Sequence, residues 1–399
     1  MSAIRITLTL AVVSALLLMA ARPAQAQTET VFYSFGGTPN GGPDGAYPQS
    51  GPILKGTTLY GTASQGGSSG CGIVWAVSTT TGKETILYTF QGEPYDAWRP
   101  MGGLTYYKGS FYGTTVDGPT QPTNGAGTIY KISKSGKKYV EDILFLFNTT
   151  DGATPGAVTP VFDKAGNLYG TTTGGGNPGN GTVFMLTPGG VETVLHNFNC
   201  GTGDGCVPWA GVTLDTKGNL YGTTQVGGTY GWGTLYEITA AGNYSTLYNF
   251  TGGDDGGYPY SPLVFKGSKL YGTTENGGSG GYGTVYEFTP AKGKKASQET
   301  VLHNFYGGVS DGASPYDGAL VFDKEGNIYG TTAGGGVVGG GTMYKLAPDR
   351  TFTILHSFTN QPDGDGPLGN VVFDKQGNLY TTTEEGGATT NGAVIKVTP

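Results

Sequence analysis

The sequence predicts an all-β fold, a seven-bladed β-propeller made of four-stranded antiparallel blades. One phrase, an aliphatic residue or Phe followed by Tyr-Gly-Thr-Thr or a close variant, recurs seven times in the 399 residues. The same four short apolar runs surround each copy, which indicates four strands per unit. The chain also contains 75 Gly and 26 Tyr. Turns explain the abundance of Gly, and so many aromatic residues argue against a disordered chain.

The spacing of the phrase divides the chain into blades. Its tyrosines stand 50 to 58 residues apart, at Tyr60, Tyr112, Tyr169, Tyr221, Tyr271, Tyr329 and Tyr380. The surrounding strands place the blades near residues 52–90, 103–147, 158–198, 211–250, 263–305, 320–358 and 371–398. Four units carry Asp-x-x-Gly-Asn between the first two strands. There the Asp can close an Asx-turn and the Gly can adopt a left-handed conformation, as in a bulged hairpin.

The two ends of the repeat predict how the ring closes. The last unit has three strands and lacks the fourth. Residues 30–35, Thr-Val-Phe-Tyr-Ser-Phe, match the fourth strand of another unit, Thr-Val-Leu-His-Asn-Phe at residues 300–305. We therefore expect Val31 and Phe32 to pair beside Val394 and Ile395, so that residues 30–35 complete the seventh blade and leave no unfinished edge.

Residues 1–26 predict a signal peptide and an exported protein. Arg5 precedes an apolar run over residues 6–19, and Ala24-Gln25-Ala26 is typical of a cleavage site. Residues 27–399 are then one propeller domain without a transmembrane helix, located outside the cell, on its surface or in a periplasm. Cys200 and Cys206 bracket a Gly-rich loop, and an oxidising compartment favours a disulfide between them, with Cys71 unpaired.

The repeat as a whole resembles the GloVer tandem repeat. The shared pattern is Leu-Tyr-Gly-Thr-Thr, a Gly-Gly loop, Gly-Thr-Val-Tyr-x-Leu-Thr-Pro and Thr-Val-Leu-His-x-Phe, and it extends over nearly all of residues 30–399. GloVer repeats occur in bacterial exported proteins described as choice-of-anchor proteins. The resemblance implies an exported or surface location, and it implies no established activity and no catalytic residues.

The connections between blades carry a repeated acidic residue. In each connection an Asp stands four residues before a Pro: Asp44, Asp96, Asp151, Asp204, Asp255, Asp311 and Asp363. Because these connections run from the rim to the axis, we expect the motifs near the mouth of the central channel. An Asp-Gly turn before Pro favours a structural role. The alternative is that some of the carboxylates bind a polar ligand or a cation such as Ca²⁺, which prefers oxygen ligands; no other cofactor is indicated.

Departures from the repeat indicate a ligand surface. The loops on the face of the Asp residues also carry Trp98, Arg99, Trp209, Trp232, Tyr258, Tyr260 and Tyr316. Planar aromatic rings beside hydrogen-bonding groups suit a glycan or a peptide. The alternative is that these rings shield blade edges.

Three glutamates near the channel are the candidates for catalysis. Glu275, Glu384 and Glu385 follow the repeat phrase, and a carboxylate pair across the channel could support hydrolase or lyase chemistry. Solvated loop carboxylates are the simpler interpretation. His196, His303 and His356 share a fourth-strand position that Tyr and Phe fill in other units, which indicates packing rather than a general base.

The sequence therefore favours a binding module over an enzyme. The net charge of −7 and a sequence pI near 5.0 exclude a nucleic-acid footprint. We expect a monomer that binds an extracellular glycan or protein. The alternatives are a secreted carbohydrate-active hydrolase or lyase that uses channel carboxylates, and a structural protein of the cell envelope.

Overall fold

A computed structural model describes residues 28–121, 125–291 and 296–398. Within these residues lie seven four-stranded antiparallel sheets, so the predicted seven-bladed propeller is confirmed. No helix in this part of the chain is long and apolar enough to cross a membrane. The predicted signal peptide, residues 1–26, lies outside the described residues.

In each of the first four blades the strands follow one another in sequence order from the axis to the rim. Blade 1 contains Ile53–Lys55, Thr58–Ala63, Ile73–Ser78 and Glu84–Thr89. Blade 2 contains Thr105–Tyr107, Ser110–Thr115, Thr128–Ser135 and Lys138–Leu146. Blade 3 contains Val161–Phe162, Leu168–Thr172, Thr182–Leu186 and Glu192–Asn197. Blade 4 contains Thr213–Leu214, Leu220–Thr224, Thr234–Ile238 and Tyr244–Asn249.

The remaining blades repeat this order, except that the last takes its outer strand from the other end of the chain. Blade 5 contains Val264–Lys266, Lys269–Thr274, Thr284–Thr289 and Gln298–Asn304. Blade 6 contains Val321–Phe322, Ile328–Thr332, Thr342–Leu346 and Phe352–Ser357. Blade 7 contains Val372–Phe373, Leu379–Thr383, Ala393–Thr398 and Thr28–Ser34. Short two-residue pairs join Gly45–Ala46 to Gln65–Gly66, Gly205–Cys206 to Val226–Gly227, and Gly312–Ala313 to Gly334–Gly335.

The N-terminal strand closes the ring as the sequence predicts. It runs antiparallel to Ala393–Thr398, with Val31 opposite Ile395 and Tyr33 opposite Val394. A bulge between Val31 and Tyr33 shifts the register by one residue. In the described chain, the outer edge of every blade is thus the fourth strand of a complete sheet. The core lies between neighbouring blades, as where Met343 of blade 6 packs with Leu379 and Ile395 of blade 7.

The repeat phrase has a packing explanation. Its glycine lies opposite an aromatic residue of the third strand, and a Cβ atom at Gly330 would come within 2.5 Å of the Tyr344 hydroxyl oxygen. In blade 7 the glycine is replaced by Thr381, and its partner on the third strand is the smaller Ile395. Glycine therefore marks the blades in which a large ring fills the space between the sheets.

The two threonines of the phrase join strands and blades. The second one bonds to the first threonine of the third strand, as Thr172 does to Thr182 at 2.9 Å. The first one reaches the next blade, as where the Thr171 hydroxyl donates to the Ala210 carbonyl at 2.9 Å. The hydroxyl groups of Thr171, Thr172 and Thr182 and the carbonyl group of Ala210 are buried. Each bond therefore offsets the cost of removing its two groups from water.

Candidate functional site at the channel mouth

A repeated backbone clamp positions the residues around the axis. The residue before each connection proline has a positive φ, between 52° and 61° over the seven connections. Ser314 illustrates its two bonds: its N–H donates to the Tyr282 carbonyl of the preceding blade at 2.9 Å, and its carbonyl accepts from the Ala333 N–H at 3.0 Å. The left-handed region is unfavourable for a side-chain-bearing residue, so these two bonds help to hold it there.

Two positions of the repeat supply most of the residues that line the channel mouth. One is the residue after the connection proline: Gln49, Met101, Gly156, Trp209, Tyr260, Tyr316 and Leu368. The other is the residue after the repeat phrase: Ser64, Val116, Thr173, Gln225, Glu275, Ala333 and Glu384. The chemistry of the channel mouth is set by these two variable positions together with Asp317, which lies two residues after its connection proline where the other repeats carry a small residue.

A cavity of about 380 Å³ occupies the mouth. Its walls are Gln49, Met101, Trp209, Glu275, Ser314, Tyr316, Asp317, Ala333, Leu368 and Glu384. Gln49 and Asp317 also line a second cavity of about 260 Å³, formed by residues that lead into the innermost strands. The two cavities are therefore neighbouring parts of one axial depression.

Three carboxyl groups meet in the mouth cavity. Desolvation raises the pKa of Asp317 well above its usual range, and the nearby Glu384 and Glu275 raise it further, while the Trp209 indole N–H opposes the shift. Oδ1 of Asp317 is buried and has no partner of good hydrogen-bond geometry among the described residues. Desolvation also raises the pKa of Glu275. Asp317 is therefore best able to remain protonated and to act as a hydrogen-bond donor.

Glu384 is held in a different way. Nε2 of Gln49 donates a hydrogen bond of 2.5 Å to its Oε1 across the junction of blades 7 and 1. Burial raises the pKa of Glu384, the Gln49 bond lowers it, and the adjacent Glu385 raises it again. Glu384 thus has a fixed orientation and one oxygen directed toward the cavity wall.

Three aromatic rings form a cluster at the same mouth. The rings of Tyr260 and Tyr316 stack with centroids 4.3 Å apart, and Trp209 meets Tyr260 edge-on at 5.8 Å. The Gln225 side-chain amide donates to the Tyr260 hydroxyl. Trp209 and Tyr316 line the cavity itself, so the cluster offers flat apolar surface beside the carboxyl groups.

The structure separates the other predicted aromatic residues from this cluster. Trp232, on the loop before Thr234–Ile238, packs on Tyr258 with ring centroids 4.6 Å apart and lies over Gly252, and these two partners belong to the connection between blades 4 and 5. Arg99 forms an ion pair with Asp117 and lies 5.3 Å from the Trp98 ring. The predicted ligand surface therefore consists of three groups, and only Trp209, Tyr260 and Tyr316 surround the mouth.

The seven repeated Asp residues do not gather at the mouth, so that part of the prediction is wrong. In six connections the carboxylate bonds to the Tyr or His of the outermost strand, at 2.6 to 3.3 Å. Phe145 occupies this position beside Asp151, which instead accepts from the Asn148 N–H. The Asp begins the crossing and therefore stays at the rim, whereas the residue after the Pro reaches the axis.

The three predicted carboxylate candidates also differ in position. Glu275 and Glu384 line the mouth cavity. Glu385 is exposed, and its backbone pairs with Asp365 away from the cavity. The disulfide between Cys200 and Cys206 is present, and Cys71 is a free, partly buried thiol.

Sequence reasoning missed Asp317 and Gln49. Two residues after the connection proline, the other six repeats carry Ser, Gly or Ala, and only Asp317 is charged. A position-by-position comparison of the repeats shows this departure. The bond between Gln49 and Glu384 joins residues 335 positions apart, and nothing in the local sequence indicates it.

Charge defines what the mouth can hold. Among the described residues that line the two cavities there is no Lys, Arg or His. An anionic ligand would find no counter-charge there and would face three carboxyl groups. A neutral ligand rich in hydroxyl groups would find donors, acceptors and aromatic faces together.

Similar proteins show the same fold. A crystal structure of oligogalacturonate lyase from Vibrio parahaemolyticus is 10% identical with a TM-score of 0.51, over 88% of this chain and 89% of that chain. A crystal structure of puromycin hydrolase is 11% identical with a TM-score of 0.55, over 84% of this chain and 50% of that chain. At such low identity the likeness extends to the fold alone.

The chain as a whole is assigned by its repeats. No curated protein sequence matches it. The family model described as the Gloeobacter/Verrucomicrobia repeat matches residues 17–161, 156–298 and 294–399, which confirms the resemblance drawn from the repeat phrase. The protein therefore belongs to the Gloeobacter/Verrucomicrobia repeat family.

Proposed function

We propose that this protein is an exported binding module that holds a neutral glycan at the mouth of its central channel. The observation that carries the proposal is the convergence of the Trp209, Tyr260 and Tyr316 rings with three carboxyl groups at one cavity. Sugar rings present C–H faces that pack on aromatic rings, and hydroxyl groups that bond to carboxyl and amide groups.

The dimensions and charge of the mouth favour this ligand class. A cavity of about 380 Å³ is of the size that encloses a small ligand or the end of a chain, whereas a protein partner would need a broad interface. The absence of cationic side chains from the described lining disfavours acidic sugars. A protonated Asp317 supplies a donor, and Glu384 supplies an oriented acceptor.

Export is part of the proposal. Residues 1–26 have the composition of a cleavable signal peptide, and the Cys200–Cys206 disulfide suits an oxidising compartment. The protein would then meet its glycan outside the cytoplasm. A purely structural envelope role would leave the composition of the mouth without a function.

One observation favours glycan hydrolysis or lysis as a second candidate. Asp317 has a strongly raised pKa beside Glu275 and Glu384. General acid–base catalysis uses such a pair, a protonated carboxyl group beside an ionised one. Asp317→Asn separates the two functions because Asn keeps the hydrogen-bonding shape but cannot transfer a proton. Under the binding proposal this variant retains most of its affinity, and the wild type gives no product from its glycan.

The binding test uses a glycan array on residues 27–399, followed by calorimetry with the best neutral ligand. We expect Trp209→Ala and Tyr316→Ala each to weaken binding at least tenfold, because each removes a wall of the cavity. Tyr230→Ala is the matched control, since Tyr230 is 60% exposed on a loop of the same face and touches neither cavity. Equal losses in all three variants, or no glycan bound by the wild type, would refute the proposal.

A further inference from the structure

We propose that Glu29, His356 and Asp363 form a binding site for one divalent transition-metal ion of the zinc class, at the rim between blades 6 and 7. Each residue offers one ligand atom, and these atoms lie within 4.8 Å of one another. The site is independent of the glycan site, because its residues lie on outer strands and on the outer end of a connection.

The ligand set matches the coordination chemistry of zinc. Zn²⁺ takes imidazole nitrogen and carboxylate oxygen, and three protein ligands with a water complete a tetrahedron. Oδ1 of Asp363 is engaged by the Thr359 N–H at 3.1 Å and the Thr359 hydroxyl at 2.6 Å. This leaves Oδ2, which faces Nε2 of His356 at 2.6 Å.

Glu29 supplies the third ligand. Its Oε1 is buried and has no hydrogen-bond partner among the described residues. For an ion to enter, the His356–Asp363 pair must open from 2.6 Å to about 3.3 Å, the ligand separation of a tetrahedron with bonds of about 2.0 Å. The ion would replace the proton that His356 shares with Asp363.

Comparison with the other rim junctions shows that this combination departs from the repeat. Each junction brings together a residue of the fourth strand, the connection Asp and a residue of the next blade's outer strand. At the two other junctions whose fourth-strand residue is His, the next outer strand supplies an aromatic ring that stacks on it. His196 stacks on Tyr244 at 3.7 Å, and His303 stacks on Phe352 at 4.1 Å.

At the other junctions where the next outer strand supplies a Glu, the fourth-strand residue is not His. Tyr33 bonds to both Asp44 and Glu84, and Tyr88 bonds to both Asp96 and Glu141. Within the described chain, the junction of blades 6 and 7 alone unites His with two carboxylates. There a carboxylate takes the place of the stacking ring, which converts a packing contact into a set of metal ligands.

A bound ion would connect the two ends of the ring. Glu29 belongs to the N-terminal strand of blade 7, whereas His356 and Asp363 belong to blade 6 and the connection that leaves it. Metal binding would therefore stabilise the attachment of the closing strand, since an ion that binds only the folded state raises its stability.

The test is Zn²⁺ titration by calorimetry of tag-free residues 27–399 after treatment with a chelator. We expect one ion per chain, and a higher melting temperature in Zn²⁺. His356→Phe and the conservative Glu29→Gln should weaken binding at least tenfold and abolish the thermal shift. His303→Phe is the matched control and should retain full binding, because its junction has Phe352 in place of the Glu.

A gain-of-site variant completes the design. Phe352→Glu places a Glu beside His303 and Asp311, and we expect it to raise the stoichiometry to two ions per chain. The proposal is overturned if the folded wild type binds no Zn²⁺, or if His356→Phe and Glu29→Gln, shown to be folded by circular dichroism, bind it as tightly as the wild type.

Discussion

At the scale of single residues, the repeat is explained by pairs of positions that must fit each other. Gly330 leaves room for the fully buried Tyr344, while Thr381 in blade 7 faces the smaller Ile395. A substitution on one side of such a pair is therefore tolerated only when the other side changes too.

This pairing predicts the effect of Gly330→Ala. The added methyl group would meet the Tyr344 ring in a packed interior, so we expect a loss of about 1–3 kcal/mol in the free energy of unfolding. Urea denaturation measures it. In Tyr344→Ile, which imitates blade 7, the same Gly330→Ala change should cost much less. An equal cost in both backgrounds would show that the ring is not the cause.

Asp317 shows the limit of residue-level prediction. Its charge is visible in the sequence as a departure from Ser, Gly or Ala, but its importance depends on Glu275 and Glu384, which come from other blades. Trp209, Tyr260, Tyr316, Glu275 and Glu384 were predicted as candidates, because unusual residues in repeated loops point to function. Their assembly into one cavity required the structure.

At the scale of elements, neighbouring blades are joined at the rim by titratable groups. The Tyr88 hydroxyl bonds to Asp96 of its own connection and to Glu141 on the outer strand of the next blade. Burial and the charge of Asp96 raise the pKa of Glu141 to about 9, with a smaller contribution from Asp142. The two outer strands therefore meet most favourably when Glu141 is protonated.

The junction predicts a pH dependence of stability. Glu141 has a pKa of 4.5 when unperturbed and about 9 in the folded protein, so its contribution is fully present below pH 4.5 and is lost as the pH rises toward 9. Glu141→Gln is permanently neutral, and at pH 8 its melting temperature should exceed that of the wild type by roughly 2–4 °C. At pH 4.5 the difference should vanish.

The exposed Glu325→Gln variant is the control for this experiment and should show no such dependence. A Glu141→Gln protein with the same melting curve as the wild type at both pH values would contradict the role given to this carboxyl.

These rim contacts were predicted from the sequence only in part. The His and Tyr residues were correctly placed on outer strands, but their bonds to the connection Asp residues were not foreseen.

At the scale of the whole molecule, the fold was predictable because seven copies of one pattern reinforce each other. A single phrase such as Leu-Tyr-Gly-Thr-Thr is weak evidence, whereas seven copies with four strands each leave few architectures. Ring closure was predictable from the match between residues 30–35 and 300–305. The left-handed residue before each proline was not predictable, since residues in that position ordinarily avoid helical conformations and the clamp bonds are long-range.

Closure predicts the effect of removing the N-terminal strand. A chain that begins at residue 36 leaves the edge of Ala393–Thr398 unpaired, so we expect a lower urea midpoint and self-association on size-exclusion chromatography. A chain that begins at residue 27 is the control. A synthetic peptide of residues 28–35 should restore the midpoint in part, because it can add as a strand. A truncated chain that is as stable and as monomeric as the control would show that this strand pair does not stabilise the fold.

The pairing of Thr28 with Thr398 has a topological consequence. The first and last described residues lie side by side on adjacent strands, so a brief peptide bridge could join them without disturbing either sheet edge. Once they are bridged, the backbone could be reopened at an exposed hairpin of any blade. Circular permutants that begin in any of the seven blades are therefore compatible with the same propeller.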